Sequence, residues 1–190
     1  MATTRVSTAA DGTQGNAASQ IATTGSQVSA DGRYVVFTTN AGNLVAGDTN
    51  GTIDVFVKDT LTGTVTRVST DSTGAQATGG TSTAASISAD GTRVAFQSTA
   101  TNLVTGDTNS ASDIFVKDLT TGTTTRVSTD STGAQTTSGT STTPSISADG
   151  TRVAFQSSAT NLVAGDTNGL TDVFVKNLTT GTTTRVSTDS

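Results

Sequence analysis

The chain has 190 residues, enough for one ordinary domain or a short repeat array, and it carries a net charge of −5 with neither cysteine nor histidine. Without cysteine there are no disulfides, no thiol catalysis and no Cys-based zinc site. The acidic balance opposes nucleic acid, whose phosphates need clustered Lys and Arg, and no run of about 18 apolar residues is present to enter a membrane.

Leu, Ile, Val and Phe together number 36 of 190 residues, just under the roughly 20% at which disorder competes with folding. Disorder also needs high net charge, and −5 is modest for this length. Every acidic residue is Asp, and Glu is absent. Glu favours helices whereas Asp favours turns, so this bias and the abundance of Thr, Ser and Val point to strands.

In chain order, Met1-Ala-Thr-Thr-Arg-Val6 lacks the apolar stretch of a signal peptide and reads as strand over residues 3–8. If the protein is exported, its signal lies outside this chain. A repeat follows. Ser-Ala-Asp-Gly ends at Gly32, Gly91 and Gly150, a spacing of 59, and the same step relates Asp48, Asp107 and Asp166. Residues 71–129 and 130–188 differ at about eleven positions. An ungapped fixed period marks a repeat architecture in which each copy is one supersecondary unit.

Each copy predicts four strands. In the middle one these are residues 85–89, 92–98, 113–119 and 123–129. Asp90-Gly91 is a tight hairpin signal between the first two, and Thr120-Thr-Gly122 is a short turn between the last two. The linking segments 99–112 and 130–143 are long and rich in Thr, Ser, Gly and Asn. The triplets Val94-Ala-Phe96 and Ile114-Phe-Val116 are continuously apolar, and since side chains alternate faces along a strand, both faces must be covered. All six Phe (37, 56, 96, 115, 155 and 174) fall in such triplets and are assigned to core. Small sheets covered on both faces and repeated side by side are β-propeller blades. The predicted fold is therefore all-β: a propeller of four-stranded antiparallel blades over about residues 28–70, 86–129 and 145–188, with an extra fourth-type strand at 1–8. A β-solenoid is the runner-up, although its coils are much shorter than this repeat.

Ser86-Ile-Ser-Ala-Asp-Gly-Thr-Arg-Val-Ala-Phe96, Asp113-Ile-Phe-Val-Lys-Asp118 and Thr125-Arg-Val-Ser128 together resemble the TolB-type, WD-repeat-like β-propeller repeat. The match recurs in all three copies. It departs from that family in having Ala for Pro in the Asp-Gly turn, Phe for Tyr in the third strand, and longer loops. The resemblance implies four-stranded blades, export to the periplasm or outside in bacteria, and contact with protein partners. It fixes no ligand.

Three blades are fewer than the 4–8 or so of a typical propeller. A homodimer closing a six-bladed ring is the favoured expectation, with a larger ring or excision from a longer array as alternatives. The near-identity of the second and third copies suits recent duplication or deliberate construction. The spare strand at residues 3–8 repeats Thr183–Thr188, so the two compete for one edge in a ring, and one of them adds to a neighbouring chain in this reading.

For chemistry, the strongest pattern is Asp48/Asn50/Asp54, repeated as Asp107/Asn109/Asp113 and Asp166/Asn168/Asp172. Alternating Asp and Asn on a glycine loop resembles an oxygen-rich calcium site. It also resembles the loops of integrin-type propellers, minus two intervening residues that include an acidic ligand. The competing reading is an Asx turn closing the loop, with the last Asp capping strand amides. Arg67, Arg126 and Arg185 each precede an Asp (71, 130 and 189) by four residues, which suggests surface ion pairs at the blade rims. Tyr34 replaces Arg93 and Arg152 and reads as a strand-surface residue. Without His, Cys or Glu the common general bases and a Ser-His-Asp triad are unavailable, so the expectation is a non-enzyme. The leading functional expectation is protein–protein interaction or scaffolding. The alternative is a multivalent lectin-like propeller with one weak site per blade, which lacks the usual stacking aromatics because there is no Trp and one Tyr. Asn50-Gly-Thr52 and Asn177-Leu-Thr179 match the glycosylation sequon, a pattern that also arises by chance.

Overall fold

Alternating short and long links, each carrying its own turn chemistry, leave little choice but separate antiparallel sheets of four strands. The computed structural model, which describes residues 3–188, has this architecture. The first sheet holds β1 (Ser19–Gln20), β2 (Tyr34–Thr39), β3 (Asp54–Asp59) and β4 (Val65–Arg67). The second holds β5 (Ser82–Ile87), β6 (Arg93–Ser98), β7 (Asp113–Asp118) and β8 (Thr124–Arg126). The third holds β9 (Ser141–Ile146), β10 (Arg152–Ser157), β11 (Asp172–Asn177) and β12 (Thr183–Arg185). All neighbouring strands are antiparallel and meet in chain order. Among the described residues there is no helix, hence none long and apolar enough to cross a membrane.

The Asp-Gly turns build the hairpins as their chemistry requires. Gly91 takes a positive φ of 73°, a region open to glycine at no steric cost, and Asp90 Oδ1 accepts from the Thr92 amide at 3.0 Å. The first strands begin earlier than the pattern predicts. Ser82 and Thr83 pair with Ser98 and Gln97, then a bulge at Ala84–Ala85 interrupts the ladder before Ser86 pairs with Ala95. The polar residues ahead of the bulge look like loop in the sequence. In the first sheet this bulge grows into the excursion 21–27, after which a single bridge, Val28 to Val35, resumes the pairing.

Two of the three core clusters lie between sheets, and the third, Phe37, Ala41, Leu44 and Phe56, closes the outer face of the first sheet. Val36, Val55, Val57 and Val68 of the first pack on Ile87, Val94, Phe96, Leu103 and Phe115 of the second. Ala95, Ile114, Val116 and Val127 of the second pack in the same way on Ile146, Val153, Phe155, Leu162 and Phe174 of the third. Each sheet thus has a leading face carrying the Phe pair and a trailing face carrying small aliphatics. The two Phe rings stack at 5.8–5.9 Å between centroids in every sheet.

The N-terminal residues stand where a preceding sheet's fourth strand would end. Thr8 bridges Gln14 as Thr70 bridges Gln76 and Thr129 bridges Gln135. The Gly15 amide donates to Ser7 O as the Ala77 amide donates to Ser69 O. Residues 3–7, unlike β4, β8 and β12, have no ladder partner among the described residues. The segment is a fourth strand's end without the sheet it would complete.

Candidate functional site

The Asp/Asn loop of each copy lies beside the start of its third strand, and the structure does bring the three predicted side chains of each set together. Asn50 Oδ1 accepts from the Thr52 amide at 3.1 Å, the predicted Asx turn. Its Nδ2 donates to Asp54 Oδ2 at 2.8 Å and to Ala77 O at 3.0 Å. The second oxygen of Asp54 accepts from Ser69 Oγ, which itself accepts from the Val55 amide at 3.1 Å. Asp54 therefore caps the strand through a serine. Asn109/Asp113/Ser128 and Asn168/Asp172/Ser187 repeat this relay.

Arg67 and Arg126 do not pair with the Asp four residues on. Arg67 Nη1 lies 3.3 Å from Asp48, and Arg126 Nη1 lies 3.1 Å from Asp107 and 3.9 Å from Asp113. Arg185 Nη1 spans Asp166 at 3.0 Å and Asp172 at 3.3 Å. Asp71 and Asp130 instead cap their own turns, each accepting from two amides, while Asp189 lies outside the described residues. Proximity in sequence misleads here because the strand carries the guanidinium back towards the loop of its own sheet. These pairs are not rim contacts either, for the Arg126 side chain is 10% exposed and that of Asp113 is fully buried.

Burial comes first in setting the titration of Asp48 and Asp107, and repulsion from Asp54 and Asp113 adds to it. Both are pushed above the usual carboxylate value despite the neighbouring guanidinium. The set does not fit calcium as it stands. A guanidinium already sits against the carboxylates, and Asn50 turns a nitrogen rather than an oxygen towards Asp54, an orientation fixed by its other partners. Calcium requires six to eight oxygens at one centre.

Two groups escape the sequence reading. Lys58, Lys117 and Lys176 are buried in the third strands, and each ammonium donates to the chain of the preceding unit. Lys117 Nζ reaches Asp71 O at 2.7 Å and Lys176 Nζ reaches Asp130 O at 2.7 Å. Lys58 Nζ grips Thr8 O at 3.0 Å and Ala9 O at 3.1 Å. Desolvation lowers the pKa of all three. A Lys directly after an apolar triplet was the available signal. Tyr34 is the second case. It packs partly buried against the core and over the hairpin turn of the next sheet, where a Cβ on Gly91 would stand 2.3 Å from its ring. Arg93 treats the following turn alike, donating to Gly150 O at 2.9 Å. Shallow grooves between sheets result. One is lined by Tyr34, Asp59, Thr64, Asp90 and Thr92, the next by Arg93, Asp118, Thr123 and Leu178.

The two end faces of the array are the other candidate site. Val68 and Val127 are fully buried, but Val186 at the same position of the third sheet is 51% exposed. Val173 and Val175 are half-buried where Ile114 and Val116 are buried. At the opposite end Val28 is 43% exposed, whereas its counterparts Ile87 and Ile146 are 1% and 7% exposed. Backbone hydrogen bonds point the same way. The Ala30 amide donates to Ala89 O, and the Ala89 amide to Ala148 O, so the hairpins of successive blades are joined in a row.

No protein-family model matches the chain, and no curated protein matches it in sequence. Solved structures do share its fold. TolB from Acinetobacter baumannii aligns over 94% of this chain and 34% of its own, at 20% identity and a TM-score of 0.50. An oligogalacturonate lyase in complex with manganese aligns over 91% of this chain and 42% of its own, at 14% identity and a TM-score of 0.54. The chain thus spans less than half the length of either protein. At these identities the likeness concerns architecture alone: the three sheets are blades of a β-propeller, like those of TolB.

Proposed function

We propose that this chain is a non-catalytic β-propeller module whose first task is to assemble with itself. In this reading the trailing face of the third blade of one copy docks on the leading face of the first blade of another. Two copies then close a six-bladed ring, within the usual range of about 4–8 blades. The completed ring is a scaffold for protein contacts. The observation that carries the reading is the contrast between Val127, fully buried, and Val186, 51% exposed. The same residue in the same place is core wherever a blade follows it. An apolar sheet face left in water is a docking surface by default, and the blade repeat specifies its complement, which is another blade of this sequence. The non-catalytic part rests on the absence of His, Cys and Glu and on the guanidinium beside each recurrent carboxylate set.

The test is the mass in solution. Sedimentation equilibrium from about 1 to 100 μM should show twice the chain mass, dissociating on dilution. A monomer throughout that range would falsify the assembly, and a larger closed species would replace two copies by that number.

A further inference from the structure

The first strand of the first blade does not follow the repeat. In the second and third blades Ser82 pairs with Ser98 and Ser141 with Ser157. One repeat earlier these positions are Thr23 and Thr39, yet Thr39 pairs with Ser19, a slip of four residues. The slip pushes residues 21–27 out of the ladder. Ile21 shows the consequence. Its counterparts Gly80 and Gly139 press on the end of the second strand, where an added Cβ would stand 2.4 Å from Thr99 C and 2.7 Å from Ser158 C. No side chain fits there, whereas Ile21 has left that contact and is 64% exposed.

The displaced segment lies where the first strands of all three blades meet. Ser26 O accepts from the Ile87 amide at 2.8 Å, and Ser86 Oγ accepts from the Ile146 amide at 3.0 Å. A Cβ on Gly25 would stand 2.5 Å from that of Ser86 and 3.4 Å from Ser145 Oγ. Beside this segment is a hollow of about 250 Å³. Unlike the grooves between neighbouring sheets, it is walled by three blades: Ile21 and Ile53 belong to the first, Thr83 and Ala84 to the second, and Thr143 to the third.

No residue lining the hollow is ionisable, so a charged ligand would lose its hydration with no counter-charge to replace it. The Thr38 hydroxyl donates to Gln20 O at 3.4 Å, but those of Thr23, Thr24, Thr83 and Thr143 have no protein partner among the described residues. Each can both donate and accept. Ile21 and Ile53 form the apolar wall, and both depart from the repeat, since the later copies carry Gly80 and Gly139, and Ser112 and Thr171, at these positions. Ligand pockets join an apolar wall to a few convergent polar groups, in about 300–1,000 Å³ for a drug-sized molecule. This hollow is smaller. A single neutral ring with hydroxyls on its rim and C–H groups on its face satisfies its size, its lack of charge and its two kinds of wall.

We propose that the hollow beside residues 21–27 binds a neutral monosaccharide. The hydroxyls of Thr23, Thr24, Thr83 and Thr143 hold those of the sugar, and Ile21 and Ile53 lie against its C–H face. The register slip that makes the site occurs in one blade, so there is one site per chain rather than one per blade. It is formed within a single chain and does not depend on assembly. With aliphatic side chains in place of a stacking aromatic, the expected affinity is about 1 mM.

The five isoleucines of the chain make the δ1-methyl NMR spectrum a direct test. Ile21 and Ile53 line the hollow, whereas Ile87, Ile114 and Ile146 are buried in the seams between blades. Titration to about 50 mM, enough to fill a site of about 1 mM affinity, with at least one of D-glucose, D-galactose and D-mannose should move the Ile21 and Ile53 methyls along a saturating curve. The three seam methyls should stay in place. Thr83→Val and Thr143→Val each remove a hydroxyl at constant shape and should weaken binding about threefold to tenfold. Unmoved seam methyls in these variants report an intact fold. Glucuronate, the carboxylate analogue of glucose, should bind more weakly than glucose. The proposal is overturned by the absence of a saturable shift with all three neutral sugars, by glucuronate binding as tightly as glucose, or by undiminished binding in both valine variants.

Discussion

The third strands of the middle and last blades differ in two residues, Asp113-Ile-Phe-Val-Lys-Asp118 against Asp172-Val-Phe-Val-Lys-Asn177, yet they are buried differently. In β7 the run from Asp113 to Lys117 is buried without interruption, whereas β11 alternates buried and half-buried along its length. Period-two alternation in β11 means one face covered, and the uninterrupted run in β7 means two. A blade's sequence therefore encodes both of its faces, and what packs on them decides whether both are used: β3 of the first blade is buried throughout, because Ala41, Leu44 and Ala17 close the side of Phe37 and Phe56 that no blade covers. Among the described residues, the apolar triplet of the last blade's third strand is covered on one face only.

The sharpest way to break the comparison is to put a charge on each copy of one position. Val116→Asp places a carboxylate in the sealed seam between the second and third blades, where Val116 is 5% exposed. It should cost on the order of 4 kcal/mol, since a buried unpaired charge is among the few mechanisms that reach that size. Val175→Asp at the half-buried counterpart should cost about 1 kcal/mol or less in the single chain but abolish assembly. Urea titration of both variants beside sedimentation separates these effects. Equal destabilisation in dilute monomer would mean that the last blade's trailing face is not open.

Next in size is the guanidinium of the carboxylate cluster. Arg126→Met leaves Asp107, whose side chain is 3% exposed, without the guanidinium 3.1 Å away, and removing one member of a buried pair typically costs about 3–5 kcal/mol. Arg185 is 22% exposed, so water takes over part of its role and Arg185→Met should cost roughly 1 kcal/mol in the monomer. Chemical denaturation at two protein concentrations reads both values.

Much of this was legible in the sequence, and what was not has a common cause. The blade number, the strand order and the burial of all six Phe follow from the repeat and from continuous apolar triplets, which are local patterns. The clustering of Asp107, Asn109 and Asp113 was legible for the same reason, since one loop carries them. What closes that cluster, Arg126, was assigned to Asp130 four residues away and is found on Asp107, nineteen residues back, because strand pairing folds β8 beside the start of β7. The lysine clamp and the Tyr34 contact with the next hairpin were missed because they cross from one repeat to the next. Such contacts have no spacing in the sequence to betray them. The early start of β5 was hidden by a bulge, which shifts the register and leaves Ser82 and Thr83 looking like loop.

The smallest expected effect concerns features that should not differ between blades at all. Asp90 and Asp149 hold equivalent hairpin turns, each accepting from a serine hydroxyl and from an amide at 3.0 Å. Those donors favour the charged form and lower both pKa values, that of Asp149 to about 2 from 3.8. A carboxylate with a lowered folded-state pKa contributes stability that is fully present above the unfolded value and is lost as pH falls through the folded one. Between about pH 4 and pH 2 Asp149 should therefore reduce stability with falling pH, by an uptake of at most about one proton on unfolding, and Asp90 should act in the same direction below the ordinary carboxylate value. Asp90→Asn and Asp149→Asn should flatten the pH dependence of the urea midpoint in that window by similar amounts, because all the responsible donors lie within each hairpin. A much larger effect in the middle blade would mean that the neighbouring blade, which meets this turn through the Ala89 amide on Ala148 O, also tunes its charge. The difference between the blades would then extend beyond coverage of their faces into the hairpins themselves.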